Sequence, residues 1–128
     1  MTLSPFLRRI LMLDGASCLA MGALLALGAA PLGRLFSLDR GLVGGAGLAL
    51  LPVGLFILWL GSRRSVHPVL IWAVIAGNLL WTAESFVTIG QAEGITPLGT
   101  AFVAAQAAFV AGLSLLEWIG LRRGQAKA

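Results

Sequence analysis

Four stretches of the chain, residues 10–30, 41–61, 66–89 and 98–121, are each long and apolar enough to cross the hydrocarbon core of a bilayer. A spanning helix needs about 20 such residues, because with no water present every backbone N–H and C=O must find its partner inside the helix. Local punctuation marks the same segments. Ser4-Pro5 and Thr96-Pro97 each put a capping side chain ahead of a proline at the first helical position, where the missing N–H is not needed. Asp39 can cap the second span, and either Ser65 or His67, just before Pro68, the third. Pro31 with Gly33, then Gly61, Gly90 and Gly124, read as stops. The first helix is expected to begin near Pro5, ahead of the span proper. The fold class predicted is all-α: a four-helix transmembrane bundle forming one domain over residues 1–128.

Composition agrees. The 128 residues are 59% apolar and 11% charged, against roughly 25% charged in a soluble domain. Too few polar groups remain to cover a water-facing surface, which excludes a soluble enzyme, a nucleic-acid-binding domain and a disordered chain. The pI of about 11.2 comes from basic residues spread along the chain, with no patch for nucleic acid. The lone Cys18 excludes an intramolecular disulfide and a multi-cysteine metal site, and the lone His67 excludes a paired-histidine motif, so no metal is expected. With no tyrosine, the four tryptophans must supply any interfacial belt.

An even number of spans puts both termini and the 61–66 turn on one side. That side collects Arg8, Arg9, Arg63, Arg64, Arg122, Arg123 and Lys127, whereas the other has only Arg34 and Arg40. The positive-inside bias predicts cytoplasmic termini in a bacterial inner (plasma) membrane, with Trp59 and Trp118 near the cytoplasmic interface. Arg8 and Arg9 followed by an apolar run ending in small residues have the outline of a signal peptide. The length of the run, Asp14 within it and the need for a partner to the other helices predict a retained span. Gly15, where a lipoprotein signal usually has leucine, argues against lipidation.

Helix association in lipid relies on small residues that let backbones approach. Gly15, Gly22, Ala26 and Ala29 form such a stripe on the first span, Gly44, Gly47, Gly54 and Gly61 on the second, and Ala101, Ala105, Ala108 and Gly112 on the fourth. The short 61–66 turn predicts that the second and third spans are antiparallel neighbours. Pro52 is expected to kink the second span.

Polar residues inside the spans are the candidates for function, because burying them is unfavourable. His67, Ile71, Val74, Asn78, Trp81 and Ser85 share one helical face, and Gln106, Val110, Leu113 and Glu117 share another. At about 1.5 Å per residue, Asn78 lies about 18 Å and Gln106 about 22 Å from the cytoplasmic end. The pair can hydrogen-bond between helices. With Trp81 it can also line a pocket for a lipophile bearing a carbonyl, such as a quinone, so Asn78, Trp81 and Gln106 are the candidate ligand-binding residues. A second layer, Asp14, His67 and Glu117 with Cys18 a turn deeper, is expected at the cytoplasmic edge. It can pair with the surrounding arginines or act as a protonation site. Glu84 is expected to snorkel outward or pair with Arg34 or Arg40. No nucleophile–base–acid set is visible, so no catalytic residues are assigned, and no cofactor is expected, although a quinone or other lipophile could be bound.

Leu13-Asp14-Gly15 through Gly22, Gly77-Asn78-Leu79-Leu80-Trp81, Ala105-Gln106-Ala107 and Glu117-Trp118-Ile119-Gly120-Leu121-Arg122-Arg123 give the chain a resemblance to small, uncharacterised bacterial four-helix integral membrane proteins, loosely of DoxX-like type. The resemblance is one of type and implies no activity. Small multidrug resistance transporters share the size and a first-helix carboxylate that exchanges substrate for protons. Asp14, the only counterpart, lies near the edge of its span instead of its middle. The glycine-rich stretch leading to arginine in fluoride channels has no match in residues 44–54. The expectation is a non-enzymatic, multi-pass accessory or lipophile-binding subunit, as a homo-oligomer or with a membrane partner. The alternative is a small proton-coupled transporter acting as a dimer.

Overall fold

The computed structural model describes residues 1–127, with side chains up to residue 124; the Lys127 side chain lies outside the described residues. Five helices follow in order: α1 (Pro5–Leu27), α2 (Ala29–Phe36), α3 (Arg40–Ser62), α4 (Pro68–Gln91) and α5 (Pro97–Lys127). Among the described residues there is no strand, and α1, α3, α4 and α5 are each long and apolar enough to cross a membrane.

The helix starts lie where the capping chemistry puts them. Ser4 Oγ accepts from Leu7 N at 3.1 Å, Asp39 Oδ2 from Leu42 N at 3.0 Å, and Thr96 Oγ1 from Gly99 N at 3.0 Å. Of the two candidates for α4, His67 is the cap, its Nδ1 accepting from Val69 N at 3.1 Å. The stops agree in part. Gly61 and Gly90 stand one residue before the ends of α3 and α4, at Ser62 and Gln91, as expected, whereas α5 runs past Gly124 to Lys127. Pro31, read as a terminator, sits in the first turn of α2, where a residue without an N–H is tolerated. The break falls instead at Gly28. α2 closes on Ser37, a non-glycine residue at φ 53°, with Leu38 N donating to Gly33 O at 2.9 Å as in a Schellman motif.

Packing joins α1 to α3 and α4 to α5, with α1 also against α5 and α2 against α3 and α5. The expected pairing of the second and third spans is corrected here: despite the short turn, α3 and α4 are not a close-packed pair among the described residues. The small-residue stripes explain why. A methyl on Gly47 would meet the Ala26 amide nitrogen and, at 2.7 Å, the Gly22 carbonyl oxygen. One on Gly22 would come within 2.8 Å of the Gly47 oxygen, and one on Gly54 within 3.0 Å of the Gly15 oxygen. Backbone meets backbone along the α1–α3 seam, and α3 follows α1. On α5 the stripe Ala101, Ala105, Ala108 and Gly112 faces outward, and Val103, Ala107, Leu113, Glu117 and Leu121 face in.

The two ends are tied differently. At the basic end Leu3 N donates to Arg64 O at 3.0 Å and Val66 N to Met1 O at 2.9 Å, so the N-terminus lies along the α3–α4 turn. At the opposite end Thr96 donates through N to Phe36 O and through Oγ1 to Leu35 O, and Phe36 stacks on Phe102 at 4.9 Å, docking α2 on α5.

A Gly47→Ala substitution should lower bundle stability. The backbone displacement costs roughly 1–3 kcal/mol and outweighs the gain of about 1 kcal/mol in helix propensity. Gly112→Ala, with open space around its Cβ, should be neutral or stabilising. Reversible unfolding in mixed micelles, run on both variants, checks the contrast.

Candidate functional site

The interior polar residues converge on one amide. Asn78 Nδ2 donates to Asp14 Oδ2 at 2.7 Å and to Glu117 Oε1 at 2.8 Å, joining α4 to α1 and α5. Cys18 Sγ lies 3.6 Å from the other Asp14 oxygen. Asp14 and Glu117 are 1% and 0% exposed, so water does not reach these carboxylates. The three residues meet because they share a depth. Asp14 is nine residues into α1, Asn78 ten into α4, and Glu117 ten before the end of α5. At about 1.5 Å per residue, each lies about 14–15 Å from the basic end. Measuring from Ile10 and Leu121 puts the carboxylates too shallow, because α1 starts at Pro5 and α5 runs on to Lys127.

The cluster is incompletely satisfied. Both amide protons of Asn78 are engaged, and Glu117 Oε2 and Ser114 Oγ, both buried, meet no partner among the described residues. None of the hydrogen bonds among the described residues brings an arginine to either carboxylate. Arg8 donates to the Arg63 carbonyl at 3.1 Å, and Arg63, Arg122 and Arg123 lie over Trp59, Trp118 and Phe6 at 5.5, 5.2 and 5.7 Å. Two like charges in a medium of low dielectric repel strongly. If both were ionised, a shared proton or a nearby cation would relieve that repulsion.

A second set lies farther along the same face of α4. Trp81 Nε1 donates to Gln106 Oε1 at 2.7 Å, and Gln106 Nε2 donates to Ser85 Oγ and to the Val103 carbonyl, each at 2.8 Å. The amide of Gln106 thus pairs with Trp81 and Ser85, and that of Asn78 with the carboxylates. The expected Asn78–Gln106 bond does not form, because Asn78 and Glu117 share a depth and Gln106 stands three turns beyond Glu117 along α5.

Two cavities adjoin these residues. One of about 550 Å³ lies between the α1–α3 and α4–α5 pairs and is lined by all four long helices, with Ser17, Cys18, Asn78, Trp81 and Gln106 as its polar members. Exposed Val53, Phe56, Leu80 and Phe109 among its lining open it toward the outer surface of the bundle. The other, of about 280 Å³, reaches toward α2 and includes Glu84, Ser85 and Thr88. Trp81 and Gln106 line both, so their hydrogen bond stands between the two spaces.

Of the residues singled out in the sequence, Asn78, Trp81 and Gln106 meet at the larger cavity, and Asp14 and Glu117 meet behind Asn78. His67 is separate: it is exposed and caps α4 at the basic end. Ser114 was not singled out; its place one turn before Glu117 on the same face was the available signal. No cluster of three or more His, Cys, Asp or Glu side chains able to hold a metal ion occurs among the described residues. No family model matches the chain, and no curated protein or solved structure matches it either.

Asn78→Leu should strip Glu117 of its donor among the described residues, leave Asp14 with the Cys18 thiol alone, and destabilise the bundle by roughly 2–4 kcal/mol. Trp81→Phe, which removes one interhelical bond, should cost about 1 kcal/mol. Thermal unfolding in a fixed detergent ranks the two, and equal losses would mean that the amide does not hold the cluster together.

Proposed function

We propose that the protein is a non-enzymatic, multi-pass membrane protein that binds a lipophile inside the bilayer, as an accessory subunit of a membrane assembly. One observation carries the reading: the cavity of about 550 Å³ between the two helix pairs, apolar on most of its wall, with Asn78, Trp81 and Gln106 converging on it. Mostly apolar pockets with a few convergent polar groups are the usual form of small-ligand sites, and the lipid-facing opening suits a molecule that arrives through the membrane. The charge asymmetry supports a bacterial inner membrane with both termini cytoplasmic. The outward small-residue face of α5, unused within the chain, is where a second copy or a partner subunit would approach.

The test is mass spectrometry of protein extracted from native membrane. A stoichiometric lipophile should co-purify with the wild type and be lost from Ala49→Phe, which puts a ring into the cavity lining. Identical lipid profiles for the two proteins would refute the reading.

A second reading, a small proton-coupled transporter acting as a dimer, is favoured by the Asp14–Asn78–Glu117 cluster and by the two cavities that meet at the Trp81–Gln106 bond. A proton exchanging on the carboxylate pair would couple to movement of the ligand past that bond. In proteoliposomes, Asp14→Asn should then abolish pH-dependent uptake of the co-purified ligand while the protein still folds. Uptake that survives both Asp14→Asn and Glu117→Gln would exclude this reading.

A further inference from the structure

The larger cavity offers a ligand acceptors and no free side-chain donors. Its polar lining has five side chains, and each of their donors is engaged within the protein. Ser17 Oγ donates to the Asp14 carbonyl at 2.8 Å, and Cys18 Sγ is directed to the Asp14 carboxylate. Both Asn78 amide protons go to carboxylates, the Trp81 indole N–H goes to Gln106, and both Gln106 amide protons go to Ser85 and Val103. Pro52, in the same lining, has no N–H at all. Asn78 Oδ1, by contrast, takes part in none of the hydrogen bonds among the described residues and is not among the buried atoms without a partner. It is an accessible acceptor on a cavity-lining residue. Because the same amide gives both its protons to carboxylates, its oxygen is polarised toward greater negative charge. The amide orientation follows from those carboxylates, since the flipped amide would set oxygen against oxygen.

We infer that the ligand of this cavity is a hydrogen-bond-donating amphiphile, a lipophilic amine, whose ammonium group meets Asn78 Oδ1 and whose chain lies along the apolar wall toward the lipid-facing opening. The inference rests on the lipophile-binding reading and narrows it. A molecule that can only accept, such as a quinone or a ketone, finds no unengaged side-chain donor among the lining residues. An amine satisfies the open acceptor and brings a positive charge toward the carboxyl groups that hold the same Asn78 amide. Sites built around one hydrogen-bonding pattern discriminate strongly against ligands that leave their polar groups unpaired.

The experiment compares two probes of equal chain length, dodecylamine and 2-dodecanone, binding to the full-length protein in a neutral detergent by native mass spectrometry. The amine should form a one-to-one adduct at least tenfold tighter than the ketone. Ala49→Phe should abolish the amine adduct, and Glu117→Gln, nearly isosteric, should weaken it several-fold without changing ketone binding. A ketone that binds as well as the amine overturns the ligand class and leaves the lipophile site standing. Adducts of neither probe, or adducts indifferent to Ala49→Phe, refute the site itself. The wild-type comparison decides the class even if Glu117→Gln fails to fold, and an amine preference unchanged in a folded Glu117→Gln overturns the part assigned to the carboxylates.

Discussion

Hydrocarbon does not solvate a carboxylate, so Asp14 and Glu117 can occupy the middle of the bundle only if donors come to them, and the donor that does is the Asn78 amide. Much of the interior follows from that bridge. It sets the rotation of α1, α4 and α5 about their axes, because each must turn one particular side chain inward at one depth. It also leaves the Asn78 oxygen without a partner among the described residues, on a side chain that lines the larger cavity. One side chain thereby joins the polar interior of the protein to the space available for a ligand.

The cavity has its own cause, in backbone shape. Gly15, Gly22, Gly47 and Gly54 let α1 and α3 approach until carbonyl oxygens of one lie where side chains of the other would stand. A helix drawn that closely to α1 is not free to follow its chain neighbour, and α4 packs on α5 instead. The two close pairs meet less closely than the members of each, and the remaining volume lies along their junction. The Trp81–Gln106 and Gln106–Ser85 bonds lie within the α4–α5 pair, and Trp81 and Gln106 form part of the wall of that volume.

Much of this was legible in the sequence, for identifiable reasons. Span length and cap chemistry are local properties, so the four long helices and the caps at Ser4, Asp39 and Thr96 could be read directly, and His67 was one of two candidates. The 3.6-residue period put Asn78, Trp81 and Ser85 on one face, as found. Depth was less legible. Gly61 and Gly90 mark the ends of α3 and α4 to within one residue, but α5 runs past Gly124 to Lys127, and α1 begins at Pro5, five residues before the apolar run at Ile10. Ends placed at Ile10 and Leu121, the limits of the apolar runs, misjudge how deep Asp14 and Glu117 lie by one to two turns, enough to separate them from Asn78. The face of α5 carrying Gln106, Val110, Leu113 and Glu117 is turned inward as its period implies, whereas a small-residue stripe marks a surface suited to close approach without saying whether the approach comes from the same chain.

The cluster also bears on whether this interior exists only to hold the helices together. Replacing a buried ionic or polar set by well-packed apolar side chains is often neutral or stabilising, and leaving one member without its partner is strongly destabilising. Three leucine-sized residues at positions 14, 78 and 117 would join α1, α4 and α5 without the unpartnered Glu117 oxygen. Stability alone therefore does not account for two carboxylates gathered on one amide, nor for the open volume that the same residue helps to line. Both are accounted for if the interior has to receive something, because a site that binds must leave a vacancy and a polar group whose valence is incomplete until the vacancy is filled. On that reading Asn78 would supply the group, and the gap between the two helix pairs the vacancy.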